Sequence, residues 1–581
     1  MEKLTISNLD GYYLPIAPWT GRLILPQAEQ RRQDGGVFIE IQNAPVSQAY
    51  LKGQQVWLTW HEDSIHQPWL AKATRDLRFD QITRDSQAKG NIHPVRLDGW
   101  QRVSPLESLA GARTEDEMQV ELDVVSVDRE AESWIIRIND EPIQIEGIAR
   151  GFVQFVAPVG GKDYRVRHYD RTSRRFEGAE EIVSLPASGT LNPKFNLEQS
   201  SIVNIEKLPL NANGWYIYGA RGRDGKFMVQ ALEPAEILRL PPEQMVIGRE
   251  ETQNYVDRDK WKQMPLHQVN STLVDNNGQV VPPTQRTVSL LERRTKELWQ
   301  RGDEALVLHT FGWRGGARAN KIPIVTGHFS FGFAKLLPDE FTGALRFRLI
   351  YRQVYAHSPL SIVSGAQSWH CYMGSLQRGW MYTIPVSDVL VRMPELVAYK
   401  MGSYTFNPLN LIKRELAYME TRYRSGDGNG ASVVTPSTSC VRDSNQALFG
   451  AIRKFRDQVV NDPTVSAWLV ANPNDYHARR FAGLRSLLER VENNVLFPMG
   501  YVPRSWRGEN DRVAVQDRDR FNGLGNVLEA LRTWRTMLPR RAERSLLAVF
   551  REHGATMIDY QSAMLGGEVP GIVPLPPGVI L

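Results

Sequence analysis

From Gly35 to about Leu240 the apolar residues recur at every second position in short runs, as in Val37–Ile41, Gln55–Trp60 and Glu132–Ile138. That alternation is the signature of a strand with one buried face, and the intervening turn residues make this half of the chain predominantly β. Gly214–Leu232 reads as a hairpin, with Asp224-Gly225 supplying the turn between two β-rich runs. Past Pro282-Pro283 the period changes, and Thr287–Arg301 fits an amphipathic helix. Strands are expected again at 305–310, 322–335 and 344–355, followed by helices at 408–423 and 440–455. From Pro473 onward the pattern is helical, over 479–493 and 523–537, and the Pro- and Gly-rich segment 566–581 has little to pack and is expected to be extended.

These shifts predict a multidomain protein. β modules occupy 1–185, a second β module and a linker 186–285, an α+β domain 286–460, a helical region 461–565 and a tail 566–581. The length of 581 residues, far above the usual domain size, agrees with several units. Apolar residues at 42% and charged residues at 23% exclude a disordered chain. A formal net charge of +5 is too small to require nucleic acid as a partner, and the arginines of 473–554 are interleaved with acidic residues as on a solvated surface. The first residues carry no apolar signal segment and no window is apolar enough to span a bilayer, which predicts a cytoplasmic protein without a membrane span.

Cys371 and Cys440 are the two cysteines, too few for a disulfide framework. Cys440 follows Pro436, Thr438 and Ser439 and precedes Leu448, Ile452 and Phe455 at helical spacing, so it falls in the first turn of a helix. Unpaired backbone N–H groups and the positive end of the macrodipole favour thiolate there. Ser444 shares its face. Gly327–Ala334 alternates between Phe329, Phe331 and Phe333 on one side and His328, Ser330, Gly332 and Ala334 on the other. A helix could approach that second, small face closely and bring Cys440 to His328 as nucleophile and base. His309, His357 and His370 compete for the role of base, but none has an equally small face beside it. Gln353, preferred over His357, is the candidate orienter of the imidazole, and Ser330 and Ser444 are candidate substrate contacts. Cys371 lies among aromatics with no helix-start signal and is expected to be structural. No cofactor or metal is called for.

A helix-start cysteine facing a strand histidine, with the histidine earlier in the chain, resembles the circularly permuted NlpC-type branch of papain-like cysteine peptidases. The resemblance covers about His309–Phe455 and implies a papain-like central domain. It also implies amide-bond hydrolysis on peptides or peptidoglycan stems through a thioester on Cys440, with His328 as base. The N-terminal β modules, for example around Leu51–Leu58, resemble the small Src-homology-like barrels that target such enzymes. Over its whole length the chain also resembles uncharacterised cyanobacterial proteins labelled abortive-infection or CAAX-type proteases, although the Glu-Glu-x-x-x-Arg motif behind that label is absent. The expected function is therefore a cysteine-dependent amide hydrolase, peptidase or amidase. The alternative is a catalytically inactive scaffold that binds a protein partner.

Two other segments are singled out. Gly312–Arg318, with two arginines among glycines, reads as a surface turn, and Ser425–Gly430 as a glycine-rich loop able to cover Cys440.

Overall fold

The computed structural model describes residues 11–62, 64, 77, 79, 81, 84, 95–113, 115–130, 132–186, 204–240, 242, 244–256, 273–274, 280–281, 295–312, 327–354, 364–376, 386–425, 439–496, 539–562 and 578–581. The protein is a mixed α/β molecule with large sheets. In the N-terminal part, Val37–Asn43 alternates buried and half-buried residues without a break. It pairs with Thr20–Ile24 on one side and Gln55–Trp60 on the other. Leu23, Ile39, Leu58 and Ile136 fill the core between these strands and the short helix Pro105–Ala110.

Five strands, Ala149–Gly160, Asp163–His168, Glu180–Ser184, Phe227–Pro234 and Trp215–Arg221, form a closed ring, because Trp215–Gly219 pairs back onto the first of them. Its interior holds Val153, Phe155, Val166, Val183, Trp215 and Phe227. The Asp224-Gly225 turn joins two of its strands, with Gly225 at φ +80°, a conformation side chains resist. The ring draws strands from both sides of Pro186, so pairing crosses the boundary expected at 185/186.

The central sheet contains β1 (Glu304–Gly312), β2 (Gly327–Pro338), β3 (Leu345–Gln353), β4 (Gly365–Ser368), β5 (Val386–Arg392), β6 (Thr556–Ser562) and β7 (Gly578–Ile580). Their order is β7-β6-β5-β1-β2-β3-β4, antiparallel throughout, and β4 continues into the N-terminal strands through Ile143–Gln144. β7 is wedged between β6 and Gln244–Val246, with its three residues buried. The end of the segment expected to have little to pack thus fills a position in the sheet.

The helices around this sheet are α1 (Trp369–Tyr372), α2 (Pro408–Ser425), α3 (Cys440–Asn461), α4 (Tyr476–Val491) and α5 (Pro539–Glu552). α2 to α5 pack on the sheet face that carries Leu306, Leu308, Phe329, Phe331 and Phe333. The opposite face, with Val307, Ala334 and Tyr351, receives α1 and the closed ring. This corrects the expectation that the helix beginning at Cys440 sits on the small face of β2. The small residues instead make room for large aromatic neighbours. Gly332 lies opposite Tyr351, and a Cβ on it would stand 2.8 Å from the Ile350 carbonyl oxygen.

A buried ionic network ties the N-terminal part to the centre. Arg352 of β3 pairs with Glu420 of α2, its Nε 2.9 Å from Oε1, and reaches Glu141 at 3.4 Å. Arg424 pairs with the same Glu141, donates to the Ser364 carbonyl at 2.7 Å and to Ser108 Oγ at 3.1 Å. Burial raises the Glu420 carboxyl to about 8 despite the two guanidinium groups.

Candidate functional site

β1, β2, β3 and β5 carry an unusual number of polar side chains on the face away from α3. Register explains how they meet. His309 lies opposite Ser330 on β2 and opposite Asp388 on β5. Tyr351 and Gln353 on β3, and His328 on β2, project to the same side by the two-residue period. All of them are buried, and Tyr372 is added by α1.

The contacts fall into two sets. His309 Nδ1 lies 2.8 Å from Asp388 Oδ1, and Tyr351 Oη donates to Asp388 Oδ2 at 2.8 Å. His309 Nε2 lies 3.3 Å from Tyr372 Oη. His328 Nε2 lies 2.6 Å from Gln353 Oε1. The centroids of the two imidazoles are 6.1 Å apart. Gln353 Nε2 makes no hydrogen bond of ordinary geometry, but the amide lies near enough to the Tyr372 hydroxyl to favour its ionised form. Burial and the Asp388 carboxylate together hold the Tyr351 and Tyr372 phenols well above their ordinary range, so both remain O–H donors.

Cys440 opens α3, with Ser439 as N-cap accepting from the Arg442 N–H at 3.3 Å. The backbone N–H groups of Phe329 and Val441 face its sulfur, which places the thiol beside the residue that follows His328 in β2. An ionised Cys440 would push the Tyr372 phenol further up, so the two groups sense each other. The thiol is nevertheless pushed up to about 11, since burial outweighs the favourable N–H groups. Burial thus outweighs the lowering expected from the helix terminus. A macrodipole contributes at most about 2 kcal/mol, whereas desolvation of a fully enclosed anion costs several kcal/mol.

Of the residues singled out in the sequence, His328 and Gln353 are in contact and Cys440 is next to the same strand. Ser330 and Ser444 are fully buried, and neither hydroxyl has a hydrogen-bond partner. His370 packs away from this cluster, stacked on Tyr218 with centroids 3.9 Å apart. Burial, with Arg348, Arg150 and Arg346 nearby, holds its pKa well below the ordinary range. Cys371 is completely buried in α1, a helix whose N-cap, Ser368, accepts from the Cys371 N–H at 3.3 Å. His357, residues 313–318, 426–430 and 523–537 lie outside the described residues. Asp388, Tyr351 and Tyr372 were not singled out. The signal for Asp388 was available, as a carboxylate in the apolar run Val386–Arg392.

Among the described residues no group of three or more His, Cys, Asp or Glu could hold a metal ion. No helix among them is long and apolar enough to cross a membrane. No protein-family model, curated protein or solved structure matches the chain.

Proposed function

We propose that the protein is a cysteine-dependent amide hydrolase acting on peptides or peptidoglycan-like stems, with Cys440 as nucleophile and His328 as base. What supports this reading is that Cys440, at the start of α3, is close enough to the β2 backbone for Phe329 to favour its thiolate, one residue from a histidine whose Nε2 meets Gln353 Oε1. With Nε2–H donating to Gln353 Oε1, Nδ1 is the ring nitrogen that carries the acceptor lone pair a base requires. The raised thiol pKa means that Cys440 rests as the neutral thiol. His328 would take the proton as sulfur attacks the carbonyl, return it to the leaving amine, and then activate the water that hydrolyses the thioester. The resemblance to permuted NlpC-type peptidases points to the same chemistry, and the closed β ring is suited to a targeting role.

A second reading is favoured by one observation. A thiol at about 11 fits a catalytically inactive scaffold that binds a protein partner. Alkylation by iodoacetamide separates the two, with the modified cysteine mapped by mass spectrometry. The hydrolase reading expects labelling of Cys440 at neutral pH that falls about 10²-fold in His328→Ala, the lower range for a positioned base. Labelling that His328→Ala leaves unchanged, appearing only as the pH approaches the thiol's own pKa, would overturn it.

A further inference from the structure

The two faces of α5 differ in kind. Glu543, Leu546, Leu547 and Phe550 are buried, whereas Arg544, Ala548 and Arg551 recur at i, i+4 and i+7 along the outer side. The helix Arg249–Val256 packs beside α5, and between the two lies a cleft of about 130 Å³. Arg249, Arg544 and Arg551 line it, and Leu547 and Glu552 complete the wall. Thr252 also lines it but adds no donor, because its hydroxyl is given to the Gly248 carbonyl at 2.5 Å.

Three guanidinium groups against one carboxylate leave the lining with two positive charges. Glu552 does not neutralise them, since it pairs with Arg490, outside the cleft, and stands 3.8 Å from Arg249 Nη2. Arg551 registers the excess. Burial and then Arg249 draw its guanidinium below the ordinary range, and Glu251 and Glu552 oppose this without cancelling it. Arginine stays charged and offers a planar fork of N–H donors. From this we infer that the cleft binds a phosphate group, held by the forks of Arg249, Arg544 and Arg551. A phosphate monoester carries about −1.5 to −2 at neutral pH, which matches the lining, and its three free oxygens can meet several forks where a carboxylate has two. At about 30 Å³ per water the cleft holds on the order of four waters, room enough for one tetrahedral oxyanion.

The inference is independent of the proposed hydrolase, since Cys440 takes no part in it. Its consequence follows from what the two helices adjoin. The helix Arg249–Val256 follows the strand Gln244–Val246, and α5 leads into β6, and these are the two partners of β7. A phosphate bridging Arg249 to Arg544 and Arg551 ties the two sides of β7 together. It therefore binds the folded chain in preference to the unfolded one and stabilises it.

The experiment is isothermal titration calorimetry on the full chain, with inorganic phosphate, phenyl phosphate and benzoate as probes and the ionic strength held constant with sodium chloride. The phosphates are expected to bind one to one, and benzoate more weakly. Arg551→Gln and Arg249→Gln should each weaken phosphate binding about 10-fold or more, as for the loss of a hydrogen bond to a charged group. Arg541→Gln, at an exposed arginine of α5 outside the lining, should leave it unchanged. Tighter binding of phenyl phosphate assigns the site to a phosphate ester, and equal or weaker binding assigns it to the free ion; either result supports a phosphate site. No saturable binding of either phosphate would overturn the inference. So would benzoate binding as tightly as phenyl phosphate, affinities that Arg249→Gln and Arg551→Gln leave unchanged, or a loss in Arg541→Gln equal to theirs. If Arg551→Gln does not fold, Arg249→Gln decides alone, because that side chain is 83% exposed.

Discussion

Replacing Glu543 by Gln should remove a pH dependence from the stability of this protein. Glu543 lies on α5, buried against the sheet, and accepts from Ser387 Oγ at 3.0 Å. The Thr310 hydroxyl, which favours the ionised form, and the Asp388 carboxylate, which opposes it, both lie nearby. Burial dominates, raising the carboxyl from 4.5 to about 7. The folded state therefore binds this proton more tightly than the unfolded chain does. Its contribution is fully present below about pH 4.5 and is lost as pH rises through about 7. A gap of about 2.5 units at 1.36 kcal/mol each amounts to about 3 kcal/mol. Glu543→Gln keeps an acceptor for Ser387 but has no proton to lose. Urea unfolding followed by circular dichroism, from pH 5 to pH 8.5, reads the difference between the two proteins. Groups that titrate alike in both cancel. The variant should match the wild type at the acid end and gain up to about 3 kcal/mol at the alkaline end. Parallel curves across the range would refute the burial argument for this carboxyl.

Arg424→Met should lower stability by about 3–5 kcal/mol, because Glu141 then loses its closest cation in a buried site; urea titration checks this, and a loss below about 1 kcal/mol would show that the network contributes little to holding the N-terminal part. Ser439→Ala should cost about 1 kcal/mol through loss of the α3 cap, measured by the same titration.

Much of the local structure was legible because one period dominated each segment. The strand over 37–41, the hairpin around Asp224-Gly225 and the helix from Cys440 appear at or near their expected limits. The packing of α3 was less legible. A strand with phenylalanines on one side and small residues on the other admits two partners. Sequence spacing does not say that Tyr351 and α1 would supply the bulk on the small side. The pairing of β7 with Gln244–Val246, and of strands across Pro186, depends on contacts far apart in the chain, which no local pattern encodes. At the site, His328 and Gln353 were readable as polar residues on one face of neighbouring strands. Asp388 was readable as a misplaced charge, but its bond to His309 required the register of two non-consecutive strands. Tyr372 was hidden because α1 is only four residues long and begins where no helical periodicity can develop.

The insertion of β7 has a consequence for synthesis. A ribosome delivers β1 to β6 before residues 578–580 leave the exit tunnel, and among the described residues it is that late strand that joins β6 to Gln244–Val246. During the interval the outer edge of β6 presents unpaired backbone groups, the template on which a neighbouring nascent chain can add a strand. Completion of this part of the sheet therefore waits for β7, and until that strand arrives the nascent protein is one strand short, when a holding chaperone would have the most to protect.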